Sequence, residues 1–279
     1  MHPVLFQLDL FGRSLPYHAY GGMIALGLLV GLGLALLNSK KEGIEPNDVL
    51  TLSLWIVGVG IVSSRVAFVL TAGGPRNATG SSSFADQLLA TGGGGFVFLG
   101  GLLGALITAL VYTRLRGISF LKMTDTLVPS VAFAQALGRV GCLLAGCCWG
   151  RPADAPLPAW VLEGFDLEWP RALSLTFTHP LSLCDSPGVP LVPIQLIQSA
   201  GCLLIFAVLW FVIRTRKTWD GQVFAWYLVL YSMLRPVWEL LRNDPRGGLL
   251  GEQISTSQAI SLPLLVIGLW LMSRHSKAA

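Results

Sequence analysis

The chain has 279 residues, of which 53% are hydrophobic and only 12% charged, with a formal net charge of +4. A water-soluble domain carries about 25% charged residues, so a soluble globular fold is excluded and the chain reads as an integral membrane protein. The small positive charge does not point to nucleic acid, because in a membrane chain what matters is which loops hold the basic residues.

Residues 1–17 are short, mixed and aromatic, with Pro3 and Pro16, and read as an interfacial lead-in from which Pro16 and Tyr17 open the first helix. No basic segment precedes the first apolar run and no small-residue cleavage site follows it, so this run is expected to stay in the protein as a helix. A spanning helix needs about 20 mainly apolar residues. The runs that qualify are 18–38, 48–72, 97–115, 124–147, 193–213, 221–241 and 256–273. The expected fold is therefore an all-α integral membrane protein, one membrane domain over residues 1–279 with seven transmembrane helices.

The loops alternate in charge. Lys40, Lys41, Arg114, Arg116, Lys122, Arg214, Arg216, Lys217, Arg274 and Lys277 follow the odd-numbered spans in tight clusters, whereas Arg13, Arg76, Arg151, Arg171, Arg242 and Arg246 are spread over the opposite side. By the positive-inside rule this puts the amino terminus outside and the carboxyl terminus in the cytoplasm. Residues 73–96, rich in Gly and Ser, read as a flexible outer loop; the Asn77-Ala78-Thr79 triplet within it matches a glycosylation sequon that arises often by chance. Residues 151–192 hold seven prolines, scattered acids, Trp160 and Trp169, and read as a small outer cap.

Three basic residues fall inside or at the ends of spans: Arg65, Arg139 and Arg235. Each costs at least about 2.5–3.5 kcal/mol at the bilayer centre and so must face a partner or a polar cavity. Arg235, Glu239 and Arg242 stand at i, i+4 and i+7 on one helix face. Arg235 and Glu239 at that spacing can neutralise each other, but Arg139 and Arg242 exceed what one carboxylate offsets. Planar guanidinium groups grip phosphate oxygens in pairs, and a membrane supplies phosphate in phospholipid headgroups. The glycines Gly100, Gly101 and Gly104 in the third span suit close helix packing or close approach of a ligand to backbone. Tyr20 at the start of the first span reads as an interfacial belt residue or a hydroxyl donor. The five cysteines, Cys142, Cys147, Cys148, Cys184 and Cys202, are an odd number in or beside apolar runs, which argues against a disulfide framework. Without histidines at ligand spacing no metal site is expected, and the thiols read as small buried side chains.

The stretch from Gly138 to Arg151 (GRVGCLLAGCCWGR), the Tyr20-Gly21 opening, Gly100-Gly101-Leu102-Leu103-Gly104, Pro193-x-Gln195-Leu196, the Tyr231…Arg235…Glu239…Arg242 helix and His2-Pro3-Val4-Leu5-Phe6 together resemble the bacterial prolipoprotein diacylglyceryl transferases over almost the whole chain. The resemblance implies an inner-membrane enzyme that moves the diacylglyceryl group of phosphatidylglycerol onto the lipobox cysteine thiol of a preprolipoprotein, releasing glycerol phosphate as a thioether forms. It implies Arg139 and Arg235 as the catalytic, phosphate-handling arginines and Glu239 as the partner of Arg235. Around them it implies a substrate site of Tyr20, Arg65, Gly100, Gly101, Cys142, Cys147, Gly150, Gln195, Glu239 and Arg242. No cofactor is expected, since the leaving phosphate is stabilised by fixed cations and the nucleophile is the substrate's own thiol.

The chain departs from the family's usual residues at Leu99, where histidine is frequent, at Ala145, where asparagine is frequent, and at Val192, Ile197 and Gln198, where histidine, tyrosine and glutamate are usual. Two readings follow: an active transferase driven by the arginine field, or a paralogue that binds phospholipid or lipoprotein signal segments without catalysis. A third, an anion transporter lined by the arginines, lacks the paired broken helices or inverted halves of that class.

Overall fold

The computed structural model describes residues 3–10, 13–72, 84, 88, 95–155, 169–243, 248–249 and 254–276. His2, the sequon, Gly92–Gly94, Lys277 and the middle of the expected cap (156–168) lie outside the described residues. Among the described residues, seven long helices stand where the seven apolar runs do: α1 Ala19–Glu42, α2 Pro46–Ala72, α3 Phe98–Arg116, α4 Phe120–Ala145, α5 Ile194–Ala207, α6 Gln222–Leu240 and α7 Thr256–Ser276. Helix α5 continues as a π-helical turn over Val208–Ile213 and a 3-10 turn over Arg214–Arg216. Five of the helices, α1 to α5, are long and apolar enough to cross a membrane. Helix α6 carries Arg235 and Glu239 among its 19 residues, and the apolar part of α7 is the shorter Gln258–Arg274.

The amino terminus corrects the expectation of an irregular lead-in to an all-α chain. Val4–Leu10 (β1) and Arg13–His18 (β2) form an antiparallel hairpin, so Pro16 and Tyr17 are strand residues and α1 begins at Ala19. The Ala19 amide donates to the Pro3 carbonyl at 2.9 Å, which joins the start of the helix to the hairpin. Two-residue strands β3 (Leu175–Thr176) with β4 (Pro190–Leu191) and β5 (Gly248–Leu249) with β6 (Ile254–Ser255) make two further antiparallel pairs.

The chain divides into two compact units, Met1–Leu34 with Thr124–Ala279, and Ala35–Met123. In the second, α2 packs along α3, and Asp48 at the start of α2 accepts from the Tyr112 hydroxyl and the Arg116 Nε, both at 2.9 Å. The first unit is centred on α4, α5 and α6. Val128, Ala132 and Ala136 of α4 meet Ile194, Cys202 and Ile205 of α5 and Val223 and Trp238 of α6 in a buried core. The small side chains of α4 let α5 approach closely, and the Ser199 hydroxyl donates to the Ala136 carbonyl at 3.0 Å. A second cluster, Trp149, Phe177, Cys184 and Leu191, gathers the chain between α4 and α5.

The start of α6 is fixed from α4. Asp125, fully buried, accepts from the Gly221 and Phe224 amides at 2.7 and 2.8 Å and pairs with Lys217 at 3.0 Å. It supplies the acceptor that the first turn of a helix lacks. Asp125→Ala therefore leaves both amides and the Lys217 ammonium without this carboxylate. A stability loss of roughly 3 kcal/mol is expected, read as a lower thermal midpoint in detergent micelles and recovered in part by Lys217→Met on the same background.

Candidate active site

Helix α4 ends in a turn that sets the local geometry. Gly146 takes a positive φ of 70°, its amide returns to the Leu143 carbonyl at 3.2 Å and the Cys147 amide to the Cys142 carbonyl at 3.1 Å. This is the Schellman pattern, in which a glycine reverses the chain and satisfies the last carbonyls. The following residues form a backbone clamp. Asn243 N donates to Trp149 O at 3.4 Å, Arg151 N to Leu241 O at 3.0 Å and Val192 N to Arg151 O at 2.9 Å. The end of α6 and the approach to α5 are thereby tied to the signature stretch. Gly150 sits at the centre of the clamp, where an added Cβ would overlap the Val192 carbonyl and stand 3.0 Å from that of Leu241.

The functional side chains follow from these elements. Arg235 Nη1 and Glu239 Oε2 form an ion pair at 2.7 Å across one turn of α6, with side chains 7% and 12% exposed. Arg242 at the end of α6 is buried; its Nη1 donates to Gln198 Oε1 at 3.3 Å and its guanidinium also hydrogen-bonds Cys148. Hydrogen bonds with Cys142 and Cys147 hold the Cys148 thiol below its ordinary range against the opposing effect of burial, and Arg242 adds to the lowering. Gln195 is buried on α5, and its Nε2 donates to the Cys147 carbonyl at 2.9 Å.

Arg139 differs from these. It lies half-buried on α4, within electrostatic reach of Cys142, Cys148, Tyr231 and Cys202, and no hydrogen bond or ion pair among the described residues holds its guanidinium. Arg235 also reaches Cys202, so both cations converge on α5. Tyr20 stands 44% exposed at the start of α1, against Gly141 of α4 and within electrostatic reach of Cys142 and Arg139.

The structure thus gathers Tyr20, Arg139, Cys142, Cys147, Gly150, Gln195, Arg235, Glu239 and Arg242 in the first unit. Arg65, Gly100 and Gly101 belong to the second. There Arg65 donates to the Leu88 and Gly95 carbonyls at 3.3 and 3.2 Å and lies over the Phe68 ring at 5.4 Å. Gly100 and Gly101 face the Ser63–Ser64 turn of α2, where a Cβ on Gly100 would overlap Ala67. Helix packing is what these two glycines serve in their own unit.

Two residues were not singled out by sequence as site elements. Gln198, counted there only as a lost carboxylate, is 1% exposed and is the partner of Arg242; the i, i+3 pair Gln195 and Gln198 in an otherwise apolar helix was the available signal. Arg151, assigned to an outer loop by charge counting, is 4% exposed and donates to the Ala155 carbonyl at 2.7 Å. The positions that depart from the usual family residues are packed: Val192 is 1% exposed and Ile197 lies against the α4–α5–α6 core.

Long apolar helices carrying buried arginines define a membrane-embedded protein. Comparison with known proteins gives the family. The sequence model described as prolipoprotein diacylglyceryl transferase matches residues 3–274, and the chain belongs to that family. A phosphatidylglycerol--prolipoprotein diacylglyceryl transferase of Clostridium tetani is 34% identical over 275 residues, covering 98% of this chain and 97% of its own. Similar proteins of that name occur in Finegoldia magna, 29% identical over 96% of this chain and 94% of its own, and, as a second such enzyme, in Clostridium perfringens, 30% identical over 94% and 92%.

The clamp yields a test of sign. Gly150→Ala forces the Val192 and Leu241 carbonyls apart and is expected to destabilise by about 1–3 kcal/mol. Gly33→Ala, in the interior of α1 with nothing within 4 Å of the new carbon, is expected to be neutral or stabilising. Thermal midpoints of the two variants in the same detergent compare them directly.

Proposed function

We propose that this chain transfers the diacylglyceryl group of phosphatidylglycerol to the lipobox cysteine thiol of preprolipoproteins, with Arg139 receiving the phosphate. The unpaired Arg139 guanidinium carries this reading. A half-buried cation facing thiols and a phenol, without a carboxylate, is suited to an anion that arrives from outside the chain. The reaction supplies that anion twice, as the phosphodiester of the lipid and as the departing phosphate monoester.

In the step itself the thiol sulfur attacks the glycerol carbon that bears the phosphate oxygen. The C–S bond forms, the C–O bond to phosphate breaks and the thiol proton is released, leaving a thioether and glycerol phosphate. Charge builds on the leaving oxygen, and a fixed guanidinium in a water-poor site stabilises it without reorganising. Arg139 performs that role. Arg235, already paired with Glu239 at 2.7 Å, adds positive potential, and Glu239 positions it. Arg242, hydrogen-bonded to Gln198 and Cys148, brings a further positive charge to this end of α6. Tyr20, exposed beside Gly141, is placed to meet the headgroup, and Gln195 with Gly150 holds the signature turn in place.

This reading takes α1 to α7 as seven spans of one membrane domain in the bacterial inner membrane, amino terminus in the periplasm and carboxyl terminus in the cytoplasm, with residues 151–192 as a periplasmic cap. The alternation of basic loops supports that orientation.

A fluorescent lipobox peptide incubated with phosphatidylglycerol and the purified protein tests the proposal, with a mass gain of one diacylglyceryl group at the peptide cysteine as the expected result. Peptide binding with no mass gain would instead identify a non-catalytic binder. Arg139→Ala is expected to slow transfer by about 10²–10³-fold with an unchanged or raised thermal midpoint, because among the described residues no group loses a hydrogen-bond or ion-pair partner. Arg235→Ala is expected to lower both rate and midpoint, since Glu239 is then a buried carboxylate without its cation.

A further inference from the structure

The proposed transfer gives no chemical task to the three cysteines of the signature stretch. Cys142 lies on the last turn of α4, and Cys147 and Cys148 follow the Gly146 reversal. The three sulfurs lie within 4.8 Å of one another, the group of potential metal ligands that converges among the described residues.

The backbone is arranged to bring them together. Neighbouring residues of an extended chain point to opposite sides, but Cys148 has a φ of 57°, the non-glycine residue with positive φ among those described. That left-handed turn breaks the alternation, so Cys147 and Cys148 both meet Cys142. Gln195 pins the turn through the Cys147 carbonyl at 2.9 Å, and its own Oε1 is buried with no hydrogen-bond partner among the described residues. By contrast, Cys184 and Cys202 are buried singly, as packing thiols are.

Distances and charge both suit a soft cation. Thiolate sulfurs about 2.3 Å from a tetrahedral ion stand roughly 3.8 Å apart, so the cluster has to contract by no more than about 1 Å. Three thiolates on a divalent ion leave one net negative charge in a water-poor place. Arg139, within electrostatic reach of Cys142 and Cys148, and Arg242, hydrogen-bonded to Cys148, offset it. Soft sulfur ligands select ions such as Zn(II) and Cu(I) over harder cations.

We propose that Cys142, Cys147 and Cys148 form a three-thiolate site for one thiophilic metal ion, with a fourth coordination position left to water. Binding forms three sulfur–metal bonds and releases the thiol protons; no electron is transferred.

The readout is binding, so it is independent of whether the chain transfers lipid. Purified, reduced protein in detergent is titrated with Zn(II) against a chromophoric chelator, and cysteine labelling by a maleimide is mapped by mass spectrometry with and without the ion. One ion per chain is expected, with protection of Cys142, Cys147 and Cys148. Single Cys142→Ser, Cys147→Ser and Cys148→Ser variants are expected to lose about 100-fold or more in affinity, at or beyond the 10–100-fold of an outer-shell change, and Cys184→Ser to retain it. Circular dichroism and gel-filtration profiles confirm that each variant is folded. Equal zinc affinity in the folded triple-serine variant, or binding that leaves these three thiols as reactive as before, would overturn the proposal.

Discussion

A guanidinium carried on a membrane helix with no acid opposite it is the constraint on which the first unit turns. Hydrocarbon does not solvate a cation, so such a group needs a partner or a polar cavity, and the proposed function gives Arg139 the lipid phosphate as that partner. The packing of α4 shows how. Ala132 and Ala136, each one turn apart on the face that leads to Arg139, bring α5 close, while Ser199 satisfies the Ala136 carbonyl. The one acid nearby on α6, Glu239, is already engaged by Arg235. With Arg235 paired internally, Arg139 is the cation that the proposed function assigns to the external phosphate.

The clamp around Gly150 converts that helix packing into a site. Three segments distant in sequence, the turn after α4, the approach to α5 and the end of α6, are joined by main-chain hydrogen bonds at Trp149, Arg151, Val192 and Leu241. Main-chain bonds hold position without adding charge. Side chains at the clamp are then free to be chosen for their polarity. Gln195 and Gln198 satisfy the turn and Arg242 with neutral amides, so the local potential stays positive where glutamate would have cancelled part of it. The departures from the usual family residues at Val192, Ile197 and Gln198 are mutually consistent: two have become core and the third accepts a hydrogen bond from Arg242.

Much of the helical framework was legible in the chain. Apolar runs of about 20 residues, the alternation of basic loops and the i, i+4 spacing of Arg235 with Glu239 depend on residues close in sequence. The helices and that ion pair appear where those patterns put them. The amino-terminal hairpin was not read from the sequence: Val4–Leu10 alternates only over Phe6–Leu10, and Pro16 interrupts the pattern of Arg13–His18. Charge counting could not show that Arg151 and Arg242 are buried, which the main-chain clamp makes them. Cys142, Cys147 and Cys148 read as separate packing thiols until the Gly146 reversal brought their sulfurs together.

Hydropathy, charge alternation and helical spacing are local and additive, and by themselves they determined that this is a membrane chain of long helices with arginines in costly positions; the family was legible only in the motifs, as a resemblance. Apart from the Arg235–Glu239 pair, which local spacing already encodes, which of those arginines is satisfied from within was decided by tertiary structure. Arg65 finds carbonyls, Arg235 finds Glu239, Arg242 finds Gln198 and Cys148, and Arg139 finds no such partner among the described residues. Apart from Glu239, one turn away on the same helix, those partners are brought in by the path of the backbone between helices, where a left-handed turn and a few main-chain bonds choose the neighbours that no local pattern encodes.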